Sequence, residues 1–133
     1  MRKNVNVGNW RLAWMENAAV RDNAVEFKCA TDIEKGGCRV IEATVPSSYE
    51  IDFMREGLLD DLYMGTNIVQ TQRMENLHLY YFTEFTYTAE EGCDANLCFK
   101  GIDTVAEIYL DGEKLAFVEN MFHAHRFSLK GVK

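Results

Sequence analysis

The sequence predicts an all-β protein, an antiparallel β-sandwich or jelly roll with one short helix. Three observations point there. Apolar and polar residues alternate with period two over most of the chain, as in strands buried on one face. Gly- and Asp-containing turns punctuate those stretches at short intervals. No regular succession of strand and helix, the mark of a parallel sheet, is present.

Each element follows from its own pattern. Trp10, Leu12 and Trp14 share one face of a first strand. Val25, Phe27 and Cys29 share a face of a second, with Glu26 and Lys28 opposite, so Cys29 is expected to be a small buried residue. Glu34-Lys35-Gly36-Gly37 supplies a reversal, and a strand from about Cys38 to Val45 stops at Pro46. The one helix comes next. Ser47 and Glu50 have capping-box spacing, Ile51, Met54 and Leu58 lie on one helical face, and Gly57 ends it. Residues 59–76 keep no steady period and read as a long ordered crossing loop, with Tyr63, Met64 and Ile68 as anchors. Strands resume at Leu79, where Tyr81, Thr83, Phe85 and Tyr87 form one stripe. Glu90-Glu91-Gly92 marks a turn before a strand at Asn96 to Lys100. Val105 to Leu110 and Lys114 to Val118 flank Asp111-Gly112, a two-residue hairpin signal. His125, Phe127 and Leu129 alternate in a last strand before Gly131.

The bulk properties narrow the function. At 133 residues and 47% hydrophobic content the chain is the size and composition of one globular domain. Its formal charge of −7 repels phosphate backbones and anionic lipid, so neither nucleic acid nor membrane is expected as a partner. A neutral sugar is indifferent to that charge. Arg2 and Lys3 have no apolar run behind them, which leads us to expect a cytoplasmic protein. In that compartment Cys29, Cys38, Cys93 and Cys98 stay thiols, and without a Cys-x-x-Cys pair no metal or cofactor is expected.

The longest distinctive passage runs from Leu97 to Leu115 and contains Gly101-Ile102-Asp103-Thr104 and Ala106-Glu107-Ile108-Tyr109-Leu110-Asp111-Gly112. Glu119-Asn120-Met121-Phe122 follows it. Ala43-Thr44-Val45-Pro46, Gly65-Thr66-Asn67, and Tyr81 with Phe85 precede it in order. Together these resemble the N-terminal sugar-binding-like domain of glycoside hydrolase family 2 enzymes of the β-mannosidase kind, over about residues 10 to 130. The resemblance implies a galactose-binding-domain-like jelly roll. Residues 1–133 would form a single N-terminal domain, truncated at its C-terminus and lacking its final strands and the downstream catalytic barrel. In scaffold terms, Gly101 and Gly112 supply turn geometry, Asp103 and Asn120 hydrogen-bond backbone amides in their turns, and Phe122 fills the core. The chain departs from the family pattern at Ser47, Leu62 and Asp111, and at Arg73 and Leu79, where β-mannosidases often carry tryptophan.

The same resemblance implies a retaining glycosidase, with an acid/base and a nucleophilic carboxylate about 5 Å apart. Both belong to the barrel, so no residue of this chain is assigned as catalytic, as a metal ligand or as a substrate contact. The implied role is a non-catalytic one: to support the barrel and wall the pocket for a terminal β-linked sugar. A free-standing carbohydrate-binding sandwich and a purely structural interaction domain are the alternatives. Several groups have side chains suited to a site. His123 and His125 have metal-ligand spacing but no evident third ligand. Cys93 and Cys98 offer a redox pair, and Trp10 with Trp14 a sugar-stacking platform, although core packing explains the tryptophans better. The crossing loop, with Tyr63, Asn67 and Arg73, is the best candidate for approaching a substrate; packing against a neighbouring domain explains it equally well. Missing sheet strands would leave an edge exposed, so self-association is expected.

Overall fold

In the computed structural model, which describes residues 3–88 and 92–130, the Trp10–Trp14 stripe does form a strand, β1, Arg11–Glu16. It lies between β2, Val40–Glu42, and β3, Leu77–Phe82, with both pairings antiparallel. Leu12 faces Ile41 on one side and Tyr81 on the other. Leu12 and Ala13 are both 0% exposed, which a strand achieves only when its sheet is covered on both faces.

Two short helices do the covering. Helix α3, Tyr49–Arg55, sits over the Leu12 face, where Phe53, Ile41 and Leu59 complete a buried cluster. Helix α2, Ala30–Lys35, sits over the Ala13 face with Ile33 and Phe82. A further short helix, α1, Asn17–Asp22, follows β1 directly. The single predicted helix is therefore three α-helices, plus a 3-10 helix at Asn67–Met74. The predicted strand at Val25–Cys29 is not one. Phe27 does turn inward, its ring 4.9 Å from Tyr80, but Cys29 is exposed and stands at the N-cap of α2. An extended segment with two inward residues imitates strand alternation; here the Lys28 N–H donates to the Asp32 carboxylate at 3.0 Å and starts a helix instead. That bond is also the main reason the Asp32 carboxyl lies below its ordinary pKa.

Helix α3 differs from expectation in its inner face. Ser48, not Ser47, is the N-cap, and no side chain bonds there. Ile51 is 39% exposed, whereas Asp52 and Phe53 are buried. Met54 and Leu58 pack against the cluster as expected. The aromatic Phe53 sets the orientation, with Trp14 4.7 Å away and Tyr49 5.5 Å away. Asp52 is 0% exposed, and its carboxylate is satisfied there by two donor groups. The Thr44 N–H reaches both carboxylate oxygens, at 3.1 and 3.0 Å, and Arg55 Nη1 reaches one at 2.9 Å. Arg55 also donates to the Thr44 hydroxyl and to the Glu42 carbonyl.

Contacts divide the chain into two units, one ending at Phe85 and one beginning at Thr86. In the second, β4, Asn96–Phe99, pairs with β7, His125–Ser128, and β5, Ala106–Leu110, pairs with β6, Glu113–Val118. All pairings are antiparallel, so the all-β class holds. Asp111 and Gly112 have φ of 50° and 83°, the double positive φ that the tight hairpin turn requires. The Asn120 carboxamide oxygen accepts the Phe122 N–H at 2.9 Å, as expected of that turn. Phe122 itself does not fill a core; at 86% exposed, its ring is turned out from the turn Asn120 closes. Gly101 serves close approach, since a Cβ there would lie 2.7 Å from the Met121 carbonyl oxygen. The predicted strand from Leu79 stops at Phe82, leaving Thr83, Phe85 and Tyr87 beyond it. Glu90, Glu91 and Gly131 lie outside the described residues.

Two predictions follow from this packing. Gly101→Ala forces the Met121 carbonyl aside and lowers unfolding free energy by about 1–3 kcal/mol in urea titration. Gly8→Ala, which meets nothing within 4 Å, is the neutral control. Tyr81 keeps 39% of its surface exposed, yet desolvation, then the charges of Asp52 and Glu50, push its phenol up to about 12. The unfolded phenol ionises near pH ~10, so the unfolded chain loses its proton first. Stability carried by the neutral phenol is whole below that pH and drains away toward about 12. Tyr81→Phe should remove a tyrosinate absorbance step near pH about 12 and flatten the stability profile in that window; an unchanged profile contradicts the assignment.

Candidate functional site

The segment between α3 and β3 is the most elaborated surface of the first unit. Gly57, with φ of 69°, ends α3 and sends the chain outward. Leu59 is buried, and Leu62 and Met74 pack against the same cluster, so these are its anchors. The expected anchors Tyr63, Met64 and Ile68 are instead 82%, 62% and 57% exposed. Periodicity cannot distinguish inward from outward apolar residues in a segment that changes direction repeatedly.

Side-chain hydrogen bonds hold the segment in shape. Asp60 and Gln70 bond reciprocally: the Asp60 N–H donates to Gln70 Oε1 at 3.2 Å, and Gln70 Nε2 donates to the Asp60 carboxylate at 2.7 Å. Asn67 Nδ2 donates to the Asp61 carbonyl at 2.9 Å, and Arg73 Nη2 donates to the Leu58 carbonyl at 3.0 Å. Two polar groups of the candidate substrate-approaching loop, Asn67 and Arg73, thus brace the backbone from within. The Tyr63 N–H donates to Asp61 Oδ1 at 3.0 Å, while its side chain stays outside. What the brace presents is apolar: Tyr63, Met64, Ile68 and Val69, the last also 57% exposed. Exposed side chains of this kind suit contact with another surface. The Asp60–Gln70 brace spans ten positions with no periodic signal, which is why sequence reasoning missed it.

The other candidate residues do not converge. Trp14 packs on Phe53, with the Arg39 guanidinium 5.9 Å from its ring, so it belongs to the core. Trp10 Nε1 donates to the Val7 carbonyl at 3.0 Å. Each indole lines a different open depression: Trp10 one of about 290 Å³ with Asn9 and Glu42, Trp14 one of about 360 Å³ with Arg39 and Leu77. His123 is exposed, whereas His125 is half-buried opposite Phe99 in β4, with its Nε2 lacking a partner. No group of three His, Cys, Asp or Glu among the described residues is arranged to hold a metal ion. The four cysteines are free; Cys93 and Cys98 are exposed, and burial raises the Cys38 thiol pKa. No helix among the described residues is long and apolar enough to cross a membrane.

Comparison with known proteins gives the scaffold its affiliation. Residues 17–133 match the family described as glycosyl hydrolase 2 galactose-binding domain-like. Beta-mannosidase B of Emericella nidulans is 34% identical over 87 residues, which cover 65% of this chain and 10% of the fungal protein. Beta-mannosidase B of Aspergillus clavatus is 35% identical over 86 residues, covering 64% and 10%. Beta-mannosidase of Mus musculus is 30% identical over 98 residues, covering 72% and 11%. The matched region thus spans about a tenth of the length of these relatives. No solved structure matches the chain. By the match of its residues 17–133, the chain belongs to the galactose-binding domain-like family of the family 2 glycosyl hydrolases.

Proposed function

We propose that this chain is a non-catalytic domain of a retaining exo-glycosidase of the β-mannosidase kind. Its work is mechanical: it supports the catalytic barrel and walls one side of the pocket that admits a terminal β-linked sugar. The observation that carries this reading is the match to a glycosyl hydrolase domain that corresponds to only 10% of a beta-mannosidase. Hydrolysis in that class needs two carboxylates on opposite sides of the scissile bond, and we assign both to the barrel. The braced ridge of Tyr63, Met64, Ile68 and Val69 is the surface we assign to contact with the rest of the enzyme; its exposure and internal hydrogen bonding support that assignment. The same reading keeps a cytoplasmic location and a carbohydrate substrate for the whole enzyme, with neither nucleic acid nor membrane as a partner. The acidic balance of the chain supports the exclusion of those two partners.

The test is a pair of assays on aryl β-mannosides. The isolated chain should show no turnover, and the longer polypeptide that joins it to a barrel should hydrolyse the substrate. In that longer enzyme, Tyr63→Ser with Ile68→Ser should lower the melting temperature more than in the isolated chain. Turnover by the isolated chain, or none by the longer enzyme, would refute the proposal. Saturable sugar binding by the isolated chain would favour a free-standing carbohydrate-binding module.

A further inference from the structure

The β5-β6 hairpin turns on Asp111 and Gly112, with Leu110 paired to Glu113 on either side of them. Asp111 is the only aspartate or asparagine of the chain that is followed by glycine. That dipeptide carries a reaction of its own, because glycine has no side chain to shield its amide nitrogen. Attack of the Gly112 nitrogen on the Asp111 Cγ closes a five-membered ring. The N–Cγ bond forms, the Cγ–O bond breaks, and the hydroxyl leaves with the amide proton as water. Water then adds to the main-chain carbonyl carbon of this succinimide and breaks its bond to nitrogen. The backbone now runs through Cβ and Cγ as isoaspartate, and the mass is unchanged.

The folded hairpin keeps the reacting atoms apart. Asp111 has φ of 50°. A residue with a Cβ adopts that φ together with ψ of about +30 to +60°. At such a ψ the Gly112 nitrogen lies nearly opposite Cβ across the Cα–C bond, on the side away from the carboxyl group. Ring closure needs that nitrogen eclipsed with Cβ, about half a turn away. A two-residue loop has no slack for such a rotation, since both its residues must hold positive φ to join the strands. The Leu110–Glu113 pair must therefore open before the ring can form.

We propose that Asp111 is a site of self-modification to isoaspartate, held off by the closed hairpin and released when the hairpin opens. The product resists re-closure. Isoaspartate puts one more atom into the main chain of the loop, so Leu110 and Glu113 no longer meet in their register. The modification thus marks molecules in which the β5-β6 pairing has been lost. It needs no co-reactant but water, and it does not depend on which reaction the parent protein performs.

The test follows isoaspartate in the 133-residue chain at neutral pH, folded and in guanidinium chloride. Methyl transfer by an isoaspartate-specific carboxyl methyltransferase measures it, and fragmentation mass spectrometry locates it. It should accumulate at position 111 in denaturant and at least about tenfold more slowly in the folded chain. Asp111→Asn passes through the same ring with loss of ammonia, and gains mass that spectrometry reads directly; it should show the same folded-to-denatured contrast. Ile108, 7% exposed in β5, is remote from the reacting atoms. Ile108→Ala should loosen the hairpin and bring the folded rate toward the denatured one, whether it opens the hairpin in part or wholly. Equal rates in the folded and denatured chain overturn the proposal. So does an absence of isoaspartate at 111 in denaturant, or a folded rate that Ile108→Ala leaves unchanged.

Discussion

A carboxylate with no access to water must find its hydrogen bonds inside the protein, and Asp52 is such a group. It meets two donors, the Thr44 backbone and the Arg55 guanidinium, and these fix where α3 lies on the sheet. Once α3 is seated, Phe53 falls against Trp14 and Tyr49, and the Leu12 face acquires its core. Arg55 remains 41% exposed, so one side of the pair stays hydrated and the burial cost falls mainly on Asp52. The same two side chains bond the Glu42 carbonyl and the Thr44 N–H. One polar cluster therefore docks a helix against the end of β2.

That arrangement explains how so small a sheet is stable. With helices on both faces, three strands bury consecutive residues of β1 and do not depend on one apolar side alone. It also determines what the unit can offer to partners. The segment leaving α3 is stiffened by its own carboxamides and guanidinium, so its apolar ridge is held ready without a partner to order it. A domain that braces a larger enzyme needs a preformed surface of that type and no reactive group. In the second unit, the close approach of Gly101 to Met121 joins the two sequence passages that carry most of the family resemblance.

Much of this was legible in the residues. The Asp111-Gly112 turn, the Asn120 turn, the first strand and the existence of α3 all follow from local geometry that few residues satisfy. The family was legible for the same reason, because its distinctive passages are turns and close approaches. What the sequence concealed were features decided by tertiary contact. Val25 to Cys29 alternates like a strand but is an extended lead into α2. Ile51 has core character but points outward, because Asp52 takes the inner position through bonds to a distant backbone. Asn67 and Arg73 have the chemistry of ligand-binding groups but are used as internal braces, which only the fold reveals.

The Asp52 cluster is the point at which the account is most exposed to test. The decisive measurement is urea unfolding of Asp52→Ala, read together with exchange of the Thr44 amide. Alanine removes both oxygens and leaves the Thr44 N–H and the Arg55 guanidinium without their acceptor. The account predicts a loss of about 2–3 kcal/mol and a Thr44 amide that exchanges freely in the folded state. Stability within about 0.5 kcal/mol of the unaltered chain, with Thr44 still protected, would show that α3 is seated by its apolar contacts alone.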